Sequence, residues 1–399
     1  MIIPSLNRTL KLSYFEAFIT SFVVGLAENY FAAYAIQSGH SALVSGLLVS
    51  VPLIFAALIQ YFSQPYLKFM SVSTFVKKAT LIQSIPLLLL ACLSFFDIHA
   101  PFIILLVLYS IYWLGHFSIQ PAWNRWISEI VPTESGQHYF ALRTRLNQIG
   151  IIVGLIIGGL TLHLNVIQVS IDHLYFGLFL FSFICKILTY FLFKEHPSVQ
   201  DSISFSREKM FSLFKKYRPF LMSYSTFNFS VYLSAPFVAG YLLKERHLNY
   251  LEFMIVMLGL FAGKVLTTTW LRRTKNEIDP TILMFYGGLF AAPLPALWPL
   301  CSGPWPMMAL HVISGIAWAA WEVGLSLCFF KNIEADQKIE VISLYHYIGI
   351  LSQVTGTVFG ALMISSLFNN NYDSIFIAAG IIRLICVLPL RKNRLGIIP

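Results

Sequence analysis

The 399-residue chain is 57% apolar and 11% charged, with a formal charge of +9 and a mean hydropathy of +0.72. Soluble domains average ~25% charged residues, so an ordinary globular protein is excluded and a polytopic membrane protein is left. Nucleic-acid binding is excluded with it, because no basic face is interleaved with exposed aromatics.

A hydrocarbon core of ~30 Å is crossed by ~20 helical residues, and twelve apolar stretches meet that length. They are residues 12–36, 42–61, 74–96, 102–127, 139–162, 174–193, 220–243, 251–271, 281–300, 305–330, 339–368 and 372–390. Continuous apolar runs without ten-residue alternation predict helices rather than a barrel. The first is too long for a signal-peptide core and has no small-residue cleavage site after it, so it is expected to stay in the mature protein. Its small and polar stripe is Ser21, Gly25, Glu28 and Ala32. Asn29 points about 100° away from Glu28 on a helix and reads as a packing contact. The fourth span carries His116, Gln120 and Asn124, and the fifth carries Gly150, Gly154, Gly158 and Gly159, a spacing that lets helices approach closely. The seventh carries Tyr224, Asn228 and Tyr232, and the tenth His311, Gly315, Trp318, Glu322 and Ser326.

With the amino terminus inside, all but five of the 27 Lys and Arg fall on the cytoplasmic side. Lys244 and Arg246 lie in outer loops, and Lys186, Lys264 and Arg383 lie within spans. This bias predicts that both termini are cytoplasmic. Lys186 and Arg383 sit about seven residues before the cytoplasmic ends of the sixth and twelfth spans, and are expected to be anchors whose long stems snorkel to the inner headgroups. Cys92, Cys185, Cys301, Cys328 and Cys386 are isolated, which speaks against a disulfide framework or a metal site. No cofactor is expected.

The longest polar connection, residues 194–218, separates six spans from six. The expected domains are therefore an amino-terminal six-helix bundle (1–193), a cytoplasmic linker (194–218) and a carboxy-terminal six-helix bundle (219–399). The halves echo each other: Trp123-Asn124 is answered by Trp321-Glu322, Ile149-Gly150 by Ile348-Gly349, and Lys186 by Arg383. An offset near 198 residues indicates a duplicated unit. Parallel repeats of this kind characterise a large class of secondary transporters.

At the junction of the fourth and fifth spans, Pro121, Trp123, Trp126-Ile127, Val131-Pro132, Gly136, Tyr139-Phe140 and Arg143 form a pattern that resembles bacterial members of the major facilitator superfamily. Ala235-Pro236-Phe237 through Tyr241-Leu242-Leu243 is similar to the same group. The superfamily's signature after the second span is mostly missing, with only Lys77 and Lys78 left of its tail. Arg125, Glu129, Arg143 and Arg145 are expected to form the inner gate in its place. The resemblance implies an all-α fold of twelve transmembrane helices in two pseudo-symmetric bundles. It also implies a central cavity lined by spans 1, 4, 7 and 10, with 3, 6, 9 and 12 outside. The glycine set of the fifth span resembles the superfamily's antiporter motif, with Leu155 where that motif has proline. Close packing is the favoured reading of it.

Glu28 and Glu322 stand out because a carboxylate within a span costs at least ~2.5 kcal/mol on insertion scales. Two readings are open for them: proton coupling, or a structural ion pair, for which Lys264 is the available partner of Glu322. Candidate substrate contacts are His116, Gln120, Asn124, Asn228, Tyr232, His311 and Trp318. Trp113, Trp123 and Trp321 are further candidates for flat apolar walls.

Gly259 to Lys264 is one residue short of a nucleotide-binding loop and lacks its hydroxyl. His196 and Asp201 have the spacing of some acyltransferases without a supporting oxyanion site. The expected function is secondary active transport of a small organic solute across the bacterial cytoplasmic membrane, proton-coupled, by a monomer. Export is slightly favoured. The rivals are uptake of a nutrient or siderophore-like solute, an uncoupled facilitator and, remotely, a lipid-modifying membrane enzyme.

Overall fold

The computed structural model describes residues 4–55, 71–130, 133–164, 169–194, 207–274, 278–333 and 337–391, and among these it contains helices and no strand. Among the described residues, ten helical stretches are long and apolar enough to cross a membrane. Of the two other predicted spans, the second is a shorter apolar helix, Ala42–Phe55, at the edge of the described residues. The seventh belongs to the helix Arg207–Tyr232, which begins well inside the connection expected to run to Arg218. Capping side chains set several helix starts: Ser41, Ser71, Asn249, Asp279 and Asn371 each accept a backbone N–H of the first turn, which satisfies donors that hydrocarbon would leave bare.

The chain divides into two compact units, Met1–Phe205 and Ser206–Pro399. In the first, the helix Pro4–Leu26 packs on Thr133–Leu164, and Val72–Phe95 packs on both Phe102–Ile130 and Ile171–Lys194. In the second, Arg207–Tyr232 packs on Lys338–Leu362. Pro280–Ala291 packs on Pro304–Asn332, and its continuation Leu294–Leu297 packs on Tyr372–Val387. These are the same pairings at the repeat offset, so the sequence echo is an echo of packing.

Three predicted spans are broken helices. In the first unit a 3-10 turn, Glu28–Tyr30, separates Pro4–Leu26 from Phe31–Gln37. In the second, Arg207–Tyr232 gives way to a 3-10 turn at Ala235–Phe237. Pro236 accounts for that break, because its ring conflicts with the carbonyl four residues back and it has no N–H to donate. Pro293 interrupts the ninth span in the same way, and the chain resumes as Leu294–Leu297 and Trp298–Leu300.

The fifth-span glycines pack against the first span. A Cβ on Gly154 would meet Phe22 O at 2.2 Å, and in the second unit a Cβ on Gly360 would meet Leu233 O at 2.2 Å. Backbone touches backbone at these points, which only glycine permits. Gly154→Val should therefore destabilise the purified protein by at least the ~1–3 kcal/mol of ordinary overpacking, read as a lower thermal midpoint. Gly177→Ala, whose Cβ would have nothing within 4 Å, should leave the midpoint unchanged.

Candidate functional site

Each unit encloses a polar cavity beside its broken first helix. The larger, about 450 Å3, lies in the second unit. Asn228 and Tyr232 reach it from one face of the helix Arg207–Tyr232, and His311, Trp318 and Glu322 from one face of Pro304–Asn332. Four predicted substrate contacts and one predicted coupling carboxylate thus share a wall. The Asn228 amide donates one N–H to Gly349 O at 2.8 Å, which leaves its second N–H and its carbonyl oxygen for other partners. His311 is buried, its Nδ1 lies 3.0 Å from Val256 O and its ring stands edge-on to Trp298 at 4.8 Å. An N–H at Nδ1 fixes the tautomer and leaves Nε2 as an acceptor. Trp318 packs against Phe227 and Trp321. Glu322 is paired: Lys264 Nζ lies 2.6 Å from its Oε1, with the carboxylate 52% exposed.

The smaller cavity, about 190 Å3, lies in the first unit and is lined by Glu16, Gln83, His116, Trp123, Arg143 and Lys186 among others. Lys186 is 2% exposed and donates to Gln83 Oε1 at 2.9 Å. Gln83 Nε2 lies 3.5 Å from His116 Nδ1. Glu28 is not part of the lining. It sits in the 3-10 turn and accepts from Tyr112 Oη at 2.9 Å, and its charge reaches Lys186. Tyr112 and His116 are four residues apart on Phe102–Ile130, so one helix face meets both the carboxylate and the Lys186–Gln83 pair.

One expectation is corrected. Lys186 and Arg383 do not snorkel. Arg383 is 5% exposed, donates to Val231 O at 2.7 Å, Ser234 Oγ at 3.0 Å and Ser230 O at 3.4 Å, and lines the larger cavity. The break at Leu233–Phe237 frees carbonyls that need donors within the protein, and the guanidinium supplies them. Spans 3, 6, 9 and 12 contribute Gln83, Lys186, Trp298 and Arg383 to the cavities within the units.

Of the predicted inner gate, Arg143 belongs to a built cluster. Its Nη2 lies 2.7 Å from Glu16 Oε2, Nη1 donates to Ser13 O at 2.5 Å and to Ser13 Oγ at 3.0 Å, and the guanidinium stacks on Trp123 at 3.8 Å. Ser13 also bonds the Tyr139 hydroxyl. Arg145 is exposed. The side chains of Gln120, Asn124, Arg125 and Glu129 lie outside the described residues, as do His196 and Asp201. Glu16 was missed, although the rule that singled out Glu28 applies equally to it. Tyr224, from the seventh-span stripe, is also in the larger cavity's lining, whereas Trp298 and Tyr345 in the same lining carry no signal beyond abundance in an aromatic-rich chain.

Glu16 is 4% exposed, and removing one partner of a buried pair typically costs ~3–5 kcal/mol, whereas replacing both by apolar groups is often neutral. Arg143→Met should therefore lower the thermal midpoint strongly, and the double variant Glu16→Leu with Arg143→Met should recover most of the loss.

Comparison with known proteins agrees with this architecture. A search of curated protein sequences gives no significant match. Among solved structures, the chain is similar to a bacterial homologue of the iron transporter ferroportin in an inward-facing state (TM-score 0.72, 14% identity, 96% of this chain and 99% of that one). It is similar to the nucleoside transporter NupG (TM-score 0.70, 13% identity, 96% and 98%). It is also similar to the E. coli fucose:proton symporter FucP (TM-score 0.61, 14% identity, 97% and 98%). At such identities the likeness is one of fold. The Major Facilitator Superfamily family model matches residues 14–345, and the chain is a multi-pass membrane protein of that superfamily.

Proposed function

We propose that this protein is a secondary active transporter that moves a small organic solute across the bacterial cytoplasmic membrane by alternating access, coupled to protons. The observation that carries the reading is the pair of polar cavities beside helix breaks, with ionisable side chains held at membrane depth. Such groups are costly in lipid and are kept where they face solute, ion or one another. The larger cavity offers the solute Asn228, Tyr232, His311 and Trp318, with an apolar and aromatic lining around a few fixed polar groups. The two units expose that cavity first to one side of the membrane and then to the other, and both termini lie in the cytoplasm, as the Lys and Arg bias indicates.

Glu28 is assigned the coupling role because its position is responsive. It sits in a helix break, where small backbone shifts change its water access, and its partners, the Tyr112 hydroxyl and the charge of Lys186, come from two other spans. A rearrangement of these spans changes how well the ionised form is stabilised, and that difference drives proton uptake and release. Glu322, held by Lys264, is assigned as the second coupling carboxylate, at the solute cavity, a role that requires the pair to open during the cycle.

Proteoliposomes separate coupling from movement. With an exchangeable solute from cell extract, the wild type should accumulate it when a pH gradient is imposed. Glu28→Gln should retain exchange at equilibrium but lose gradient-driven accumulation by about tenfold or more, the equivalent of ~1.4 kcal/mol. Undiminished gradient-driven accumulation by Glu28→Gln would remove Glu28 from the coupling path.

A further inference from the structure

The charges of the two cavities do not balance in the same way. In the first unit Lys186 and Arg143 are met by Glu16, paired to Arg143 at 2.7 Å, and by Glu28, whose charge acts on Lys186 together with that of Glu16. By lining alone each cavity holds two cations and one carboxylate; the difference is that Lys186 has Glu28 as a further carboxylate beyond the lining. In the second unit the lining contains Lys264 and Arg383 but a single carboxylate, Glu322, and Glu322 is engaged by Lys264 at 2.6 Å.

Arg383 is therefore a buried cation whose partners are all neutral. The Ser230 and Val231 carbonyls and the Ser234 hydroxyl take up Nε and Nη2, and Nη1 has no acceptor among the described residues. The other polar groups of the wall do not supply a negative charge. His311 is directed at Val256 O, the Asn228 amide donates one N–H to Gly349 O, and Tyr224, Tyr232 and Tyr345 are phenols. A guanidinium is never deprotonated in a protein, so its charge must be met by another group or left exposed to the cavity. The same cavity is lined by the aromatic rings of Trp298, Trp318, Tyr232 and Phe376.

We propose that the larger cavity is built for an organic monocarboxylate, its anionic group bonded to Arg383 Nη1 and its apolar or aromatic body held among Trp298, Trp318 and Phe376. The excess of one positive charge sets the match to one negative charge. Charge-assisted bonds to a guanidinium fork supply the discrimination against neutral isosteres. The inference rests on the reading of this cavity as the solute site of a transporter, so binding and movement are measured separately.

The test uses three probes of one shape, benzoate, benzamide and benzylamine, against the full-length protein in lipid nanodiscs, with binding read by thermal stabilisation and by quenching of tryptophan fluorescence. Benzoate should bind about tenfold or more tighter than either of the others. Arg383→Gln should erase that preference, and Arg383→Lys should keep part of it. Because Arg383 also holds the helix break, each variant is first checked for folding, and the ranking of probes on the wild type decides the matter without any variant. Equal or tighter binding of benzamide or benzylamine overturns the proposal, as does the absence of benzoate binding, or a folded Arg383→Gln protein that keeps the full preference. In proteoliposomes, benzoate that binds but never crosses removes the transporter reading and leaves the anion site standing. Movement of benzylamine or benzamide in preference to benzoate does the reverse.

Discussion

A polar backbone group in hydrocarbon has no water to bond, so a helix that breaks inside a span must find donors and acceptors on neighbouring spans. The first helix of each unit is such a helix, and much of the chemistry of this protein is arranged around the two breaks. At the first, Asn29 Nδ2 donates back to Val24 O at 2.9 Å, the Tyr30 hydroxyl reaches Leu155 O at 2.8 Å, and the Tyr109 hydroxyl reaches Phe31 O at 2.8 Å. At the second, Arg383 does comparable work alone for Ser230 and Val231. The repeat has kept the break and changed the group that satisfies it, from neutral side chains to a cation.

That substitution changes what each unit can do. A neutral solution at the first break leaves Glu28 in the turn with Tyr112 and the charge of Lys186 as its surroundings. A cationic solution at the second break leaves a net positive cavity walled by aromatic rings. The two units thus share one packing pattern and differ in the charged groups set beside the break. Close helix contacts hold these arrangements rigid: Gly154 and Gly360 let the fifth and eleventh spans touch the backbones of the first and seventh, so a shift in a broken helix is passed directly to its partner.

Much of this was legible in the sequence. Span number, repeat offset and family follow from apolar length, the Trp123 and Trp321 echo and the junction around Arg143, because these are properties of composition and spacing. Asn228, Tyr232, His311, Trp318 and Glu322 were found because one face of a helix is periodic and a cavity face must be polar or small. Lys186 and Arg383 were misjudged for a physical reason. Snorkelling and burial are both open to a long cationic stem two turns from a membrane surface, and the choice depends on whether Gln83 or a broken backbone lies within reach, which no single helix reveals. Asn29, set aside as a packing residue, turned out to serve the break itself, and Glu16 was legible by the same rule as Glu28.

The central claim is that these buried charges serve the movement of a solute rather than the stability of the fold alone. The most direct measurement compares cytoplasm and medium by untargeted mass spectrometry in cells producing either the wild type or a folded Glu28→Gln variant at equal membrane levels. The account predicts an organic solute whose distribution across the membrane changes only with the wild type. Indistinguishable distributions of every detected metabolite, across growth conditions and with both proteins correctly inserted, would contradict it.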